Sequence, residues 1–281
     1  MSLRSLPEAR TLKRPQNYQW DAPSDVLAKW AQMPVATIKD SDTTISILDV
    51  IGEYYWSGTG VTANRISAAL RSIGEQNITV RINSPGGDMF EGIAIYNLLR
   101  THPAKVTVEV LGWAASAASI IAMAGDEIRM RLGSFMMVHN AWGLVIGNRH
   151  DMREAATLFE QFDAALADIY EARTGMKRAD IEQLMDAETF MTAAQAVEYG
   201  FADVVDHTEI HPETNASAQV RPEVHAKRRI DAALAQQGIS RTERRKMFCQ
   251  IAGTHDAADT ATHDAGFHTV AIQRLIDTIR S

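Results

Sequence analysis

Between Thr44 and His139 the apolar pattern switches repeatedly from period two to period three or four, with short turns between the segments. Ile45, Ile47 and Val50 open a strand-like stretch that Gly52 ends. Thr62 can cap a helix whose apolar positions are Ile66, Ala69, Leu70 and Ile73, and Gly74 follows as its stop. Asn77–Asn83 alternates as a strand, SPGGD turns the chain, and Met89–Arg100 sets Ile93, Tyr96 and Leu99 on one helical face. Lys105–Leu111 is another strand and Ala114–Ala124 a helix of small and apolar residues. Glu127–His139 holds two short strand-like pieces around Gly133. Alternation of this kind predicts an α/β domain around a mostly parallel sheet. Right-handed crossovers would stack successive strands side by side.

Asn148–Arg173 predicts the longest helix, with Met152, Ala155, Phe159, Phe162, Leu166 and Ile169 recurring on one stripe. The stripe fits core packing and a contact between subunits equally well. Shorter helices are expected over Ala179–Asp186 and Ala193–Tyr199, then a last strand over Phe201–Val205. Beyond Asp206 the composition changes. The stretch HTEIHPETNASAQVRPEVH reads as a linker, Ala226–Gln237 as a helix, and Thr254–His268 as a flexible segment before a final helix over Val270–Ile279. Arg241, Arg244, Arg245 and Lys246 form a basic run, read as a solvated helix face. The amino-terminal residues show little periodicity, apart from a short helix around Val26–Ala31. The expected organisation is an arm over 1–40, the main domain over 41–206 and an extension, partly helical or disordered, over 207–281.

Composition narrows the function classes. At 46% hydrophobic and 22% charged, 281 residues can build an ordinary globular core. A net charge of -7 argues against a general nucleic-acid binder. The single cysteine, Cys249, excludes an internal disulfide framework and a cysteine-rich zinc site. No apolar run reaches the roughly 18 residues of a spanning helix, and Ser116 and Ser119 interrupt the most apolar stretch. Met1–Gln19 lacks the apolar middle of a signal peptide. The expectation is a soluble, cytoplasmic protein that binds neither membrane nor nucleic acid.

Four segments carry candidate chemistry. Asn83-Ser84-Pro85-Gly86-Gly87-Asp88 joins a strand to a helix through two glycines, which permit close backbone approach and N–H groups aimed at an anion. It is also an ordinary turn, and no Walker lysine follows. Gly112-Trp113-Ala114-Ala115-Ser116-Ala117-Ala118-Ser119 would place a serine hydroxyl at a helix start, as a nucleophile with an oxyanion intermediate requires, or would simply be a small-residue packing seam. It is not the Gly-x-Ser-x-Gly elbow. His139 ends an apolar strand and could serve as a general base, although the chain has nine histidines. Asp186, with Glu188 near it, could orient an imidazole or merely end a helix.

Taken in this order, INSPGGDMFEGIAIYNLL, GWAASAASIIAMAGD, MMVHNAWG and ETFMTAAQAVEYGFAD resemble the Clp-type serine peptidases of the Clp/crotonase fold. The wording is most similar to the Clp-like head-maturation (prohead) proteases of tailed phages and prophages. The resemblance spans roughly Ile45–Val205. It implies stacked ββα units on a mostly parallel sheet, with a long handle helix. It also implies Ser116 as nucleophile, His139 as general base, and Gly87 and Ala117 as the oxyanion-hole N–H donors. Asp186 is assigned as the acid, with Glu188 as its competitor. No metal or organic cofactor is implied. The implied partners are protein or peptide substrates and further copies of the chain in a ring, with phage capsid, portal or scaffold proteins as the implied targets. Gly143–Gly147 and the helix after it match the handle that builds ring–ring contacts. Competing readings are a degradative Clp peptidase working with an unfoldase ATPase, a non-catalytic scaffold on this fold, and a crotonase-like acyl-CoA enzyme. Ser116 and His139 in these contexts argue against the last two.

Overall fold

Five strands run parallel in the order β1 (Thr44–Ile47), β2 (Ile78–Ser84), β3 (Val106–Ala115), β4 (Glu127–Arg131) and β7 (Val204–Asp206). This computed structural model describes residues 42–52, 60–207, 222–239, 243–244 and 246–248. The expected arm over 1–40, Cys249, Arg241, Arg245 and the segments expected after Thr254 lie outside the described residues. Two short strands complete the sheet. β5 (Phe135–Met137) lies parallel beside the far end of β3, and β6 (Phe190–Thr192) pairs antiparallel with β5.

Alternation within the strands decides the two faces. Val106, Val108 and Val110 of β3 are fully buried, as are Val80, Ile82, Ile128 and Met130 on its neighbours. The residues between them carry charge. Glu109 pairs with Arg81 at 3.3 Å and with Arg131 at 3.5 Å, and Arg131 reaches Asp206 at 3.0 Å. These side chains are half-buried, so the ladder keeps the second face polar without leaving it fully wet.

The buried strand residues share one core cluster with residues of the helices between Ala63 and Glu198. α1 (Ala63–Ile73) begins where the Thr62 hydroxyl accepts from Arg65 N and ends at Gly74. α2 (Met89–Arg100) begins where Asp88 accepts from Phe90 N and Glu91 N. α3 (Ala117–Ala122) is short, and its residues are all buried. α4 (Arg149–Thr174) opens on a capping box of Asn148 and Asp151 and closes at the left-handed Gly175. α5 (Arg178–Asp186), α6 (Ala193–Glu198) and α7 (Pro222–Gln236) follow. These elements belong to one compact unit that ends at Arg244.

Several expectations change. β3 does not stop at Leu111 but continues through Ala115, so Ala114 and Ala115 are strand rather than helix. The register shifts between Ile82 and Ser84, and Asn83 Oδ1 bridges the irregularity by accepting from Trp113 N at 3.0 Å. That bond carries the ladder past Gly112. β6, three residues long, is too short to show a period of two. The α4 stripe divides: Phe162, Leu166 and Ile169 are buried, whereas Met152 is exposed. Arg244 is no solvated cation. It is 2% exposed, donates to Asp231 at 2.9 Å and to the Ile239 carbonyl at 2.6 Å, and so is paired inside the unit.

Candidate active site

The extra length of β3 is what builds the site. The strand delivers Ser116 directly into the start of α3, with φ 56° and ψ -126°, a conformation that non-glycine residues rarely adopt. A serine in the N-cap position usually turns its hydroxyl onto its own helix. Ser116 makes no such cap bond. Its Oγ lies 2.6 Å from His139 Nε2 instead. β5 makes that possible. It is paired to β3 across Trp113–Ala115, and Met137 O accepts from Ser116 N at 2.9 Å, so the chain reaches His139 two residues later beside the hydroxyl. His139 is 6% exposed.

The glycine turn closes on this serine from the β2 side. A Cβ on Gly86 would stand 2.5 Å from Ala115 O and 2.6 Å from Ser116 Cβ. One on Gly87 would stand 2.1 Å from Ile51 O, and both residues have positive φ. Only glycine fits here, because backbone packs on backbone. Ile51 N donates to Gly86 O and Asp88 N donates to Ile51 O, so this bridge leaves the Gly87 N–H unused. Ala117 is the first residue of α3, where an N–H has no acceptor within the helix. Gly87, Ser116, Ala117, His139, Trp142 and Tyr170 line one pocket. The pocket thus brings the Ser116 hydroxyl and the His139 imidazole together with the backbone of Gly87 and Ala117.

The acids lie farther out. Asp186, the last residue of α5, is exposed, and its Oδ1 accepts from Asn140 Nδ2 at 2.7 Å. It therefore meets the residue that follows His139. Glu188 is also exposed and has a positive φ of 47°. A third carboxylate was not singled out from the sequence. Asp163, on α4, accepts from Ala141 N at 2.6 Å. Burial raises its pKa to about 6, the Ala141 N–H opposes that rise, and the charges of Asp186 and Glu160 add to it. Asp163 follows the stripe residue Phe162, but nothing in the local sequence marks it as facing the histidine loop.

Two further hydroxyls stand beside the Ser116 turn, neither given a role by the sequence. Ser119 donates to Ser116 O at 2.6 Å and lies 2.8 Å from Tyr170 OH. Burial raises the Tyr170 pKa, and the Ser119 bond partly offsets this. Among the described residues no group of three or more His, Cys, Asp and Glu side chains is placed to hold a metal ion, and no helix is long and apolar enough to cross a membrane.

Comparison with known proteins follows the same lines. The family model for Clp protease matches residues 57–209. An ATP-dependent Clp protease proteolytic subunit from Deinococcus radiodurans is 35% identical over 153 residues, which is 52% of this chain and 75% of that protein. One from Pleurastrum terricola is 36% identical over 129 residues, 45% of this chain and 65% of that protein. Among solved structures, a ClpP1 point mutant from Listeria monocytogenes superposes with a TM-score of 0.51 at 22% identity, covering 60% of this chain and 93% of that one. At that identity the superposition speaks for the fold alone.

Proposed function

The chain belongs to the Clp protease family, whose members are serine peptidases, and on that premise we propose that Ser116 and His139 cleave peptide bonds as nucleophile and general base. The observation that carries the reading is the 2.6 Å contact between Ser116 Oγ and His139 Nε2. In this reading His139 takes the hydroxyl proton as Oγ attacks the scissile carbonyl carbon. The N–H groups of Gly87 and Ala117 receive the oxyanion. His139 then protonates the departing amine, and the acyl-enzyme forms. Water enters, gives its proton to His139 and attacks the ester, and the imidazolium returns that proton to Ser116. Asp186 supplies the carboxylate, acting on the histidine loop through Asn140. The peptidase unit is read as residues 41–206, with 207–281 as its carboxy-terminal extension.

The active form is proposed to be a homo-oligomeric ring. Its support is an apolar set at the entry to the handle helix: Trp142, Leu144, Ile146 and Met152 are exposed, with Ile146 at 87%. Ile146→Asp should shift the sedimentation profile toward smaller species by about tenfold or more in dissociation constant. An unchanged profile would remove this surface from the ring.

For the biological substrate, the resemblance of the site segments to head-maturation proteases supports cleavage of phage capsid, portal or scaffold proteins. A second reading has its own support, since the relatives are named as ATP-dependent proteolytic subunits: the chain would then degrade proteins delivered by an unfoldase ATPase. Incubation of the full chain separates the two. Maturation predicts loss of mass from the extension in the wild type and not in Ser116→Ala. The degradative reading predicts a stable chain whose proteolysis of folded proteins requires an added unfoldase and ATP.

A further inference from the structure

We propose that Ser119 and Tyr170 are positioning residues for the oxyanion, fixing the peptide plane between Ser116 and Ala117 from beneath. The inference rests on the roles assigned above to Ser116 and Ala117. The carbonyl of Ser116 and the N–H of Ala117 belong to one planar peptide unit and point in opposite directions. Whatever holds the carbonyl aims the N–H. Ser116 O accepts three bonds, from Ser119 N at 2.9 Å, from Ile120 N at 3.3 Å, and from Ser119 Oγ at 2.6 Å, the shortest of the three.

A serine that bonds back onto its own helix is common. What sets this one apart is a donor from another element. The Ser119 hydroxyl has one proton, and it goes to Ser116 O. The Tyr170 hydroxyl, 2.8 Å away, must therefore be the donor to Ser119 Oγ. The chain of bonds runs Tyr170 to Ser119 to Ser116 O, from the handle helix to the nucleophile turn. Ser119 is 0% and Tyr170 1% exposed, so both hydroxyls are bonded inside the protein. The Tyr170 ring is held against Phe201 with centroids 5.5 Å apart.

The device has a purpose at this position. Ser116 has a positive φ with an unusual ψ, and rotation of the peptide plane that follows it would carry ψ toward the allowed left-handed well. The same rotation would swing the Ala117 N–H away from the reacting oxygen. A buried hydroxyl pair opposes the rotation without entering the pocket as a reactant.

The test uses a fluorophosphonate probe, which needs no knowledge of the cleavage sequence. Ser116 Oγ gives its proton to His139 and bonds to phosphorus, the phosphoryl oxygen carries the charge that the oxyanion donors must meet, and fluoride then leaves with the P–F electron pair. The maximal labelling rate and the probe's half-saturation constant are measured per titrated site for wild type, Ser119→Ala, Ser119→Thr, Tyr170→Phe and the Ser119→Ala/Tyr170→Phe double variant. Both single losses should slow the maximal rate about tenfold, the scale of weakening one oxyanion donor without deleting it. The half-saturation constant should stay within twofold. The double variant should be no slower than the slower single one, and Ser119→Thr should restore the rate. A variant that only folds poorly yields fewer titrated sites at an unchanged rate per site, and that result would overturn the proposal, as would single variants within twofold of wild type or losses that multiply in the double variant. Wild type that does not label at Ser116 would instead bring down the catalytic assignment itself, before any variant is compared.

Discussion

Ser116 and Asp186 both meet the segment around His139, yet they are held in different ways. Ser116 directly follows the middle strand of the five-strand path. Its N–H is bonded to β5, its carbonyl takes three donors, and the glycine turn packs against its Cβ. Asp186 ends a surface helix, is exposed, and bonds to Asn140. One side of the site is fixed by backbone against backbone, the other by side chains at the rim. The first tolerates almost no change of atoms. The second rests on an exposed side-chain bond between Asn140 and Asp186.

This contrast places the largest effects on the Ser116 side. Ser116→Ala and His139→Ala should each cut peptide hydrolysis by about 10⁴-fold or more with the fold intact, read as kcat beside a thermal unfolding curve. Gly87→Ala comes next. Its new Cβ would meet Ile51 O at 2.1 Å on a backbone at φ 155°. The expected cost is on the order of 3 kcal/mol of stability, measured by urea unfolding. A neutral Gly87→Ala would break the claim that this side is built of close backbone contacts.

The acid side should respond less. Asp186→Asn is expected to lower kcat by about 10²-fold, below the 10⁴-fold seen when a carboxylate bonded directly to the imidazole is neutralised. Glu188→Gln should stay within about twofold, as surface substitutions usually do. The reverse ranking would move the acid to Glu188. The smallest effect concerns Asp163. Its carboxyl has a folded pKa of about 6 against an ordinary 3.8, so the folded state holds the proton more tightly. The stability this contributes is fully present below the unfolded value and is lost as pH rises through about 6. Asp163→Asn keeps an acceptor for Ala141 N–H and cannot ionise. The difference in Tm between variant and wild type should therefore change across that window and be flat above it. A flat difference throughout would show that Asp163 titrates normally.

The same contrast explains what could be read from the sequence. The Gly86-Gly87 turn, the small residues around Ser116 and His139 just past β5 answer to close backbone approach, and such demands select residue types that stand out in the chain. α1, α2 and α4 were legible through their period, and α1 also through Thr62 and Gly74, which are its observed caps. The extension of β3 to Ala115 was not, because the side-chain bond from Asn83 that carries it arises from a different strand. Arg244 looked like part of a solvated basic run because its partner, Asp231, is brought to it only by folding. Asp163, Ser119 and Tyr170 were hidden for a related reason. Each sits in a run whose local pattern reads as helix packing, and its polar partner comes from elsewhere in the chain.

The central claim is that His139 activates Ser116. The most direct measurement is the rate and site of fluorophosphonate labelling in wild type and His139→Ala, located by peptide mass spectrometry. The account predicts modification of Ser116 in the wild type and a fall of about 10³-fold or more in His139→Ala. Labelling of Ser116 at an equal rate in both proteins, or no labelling of Ser116 at all, would contradict it.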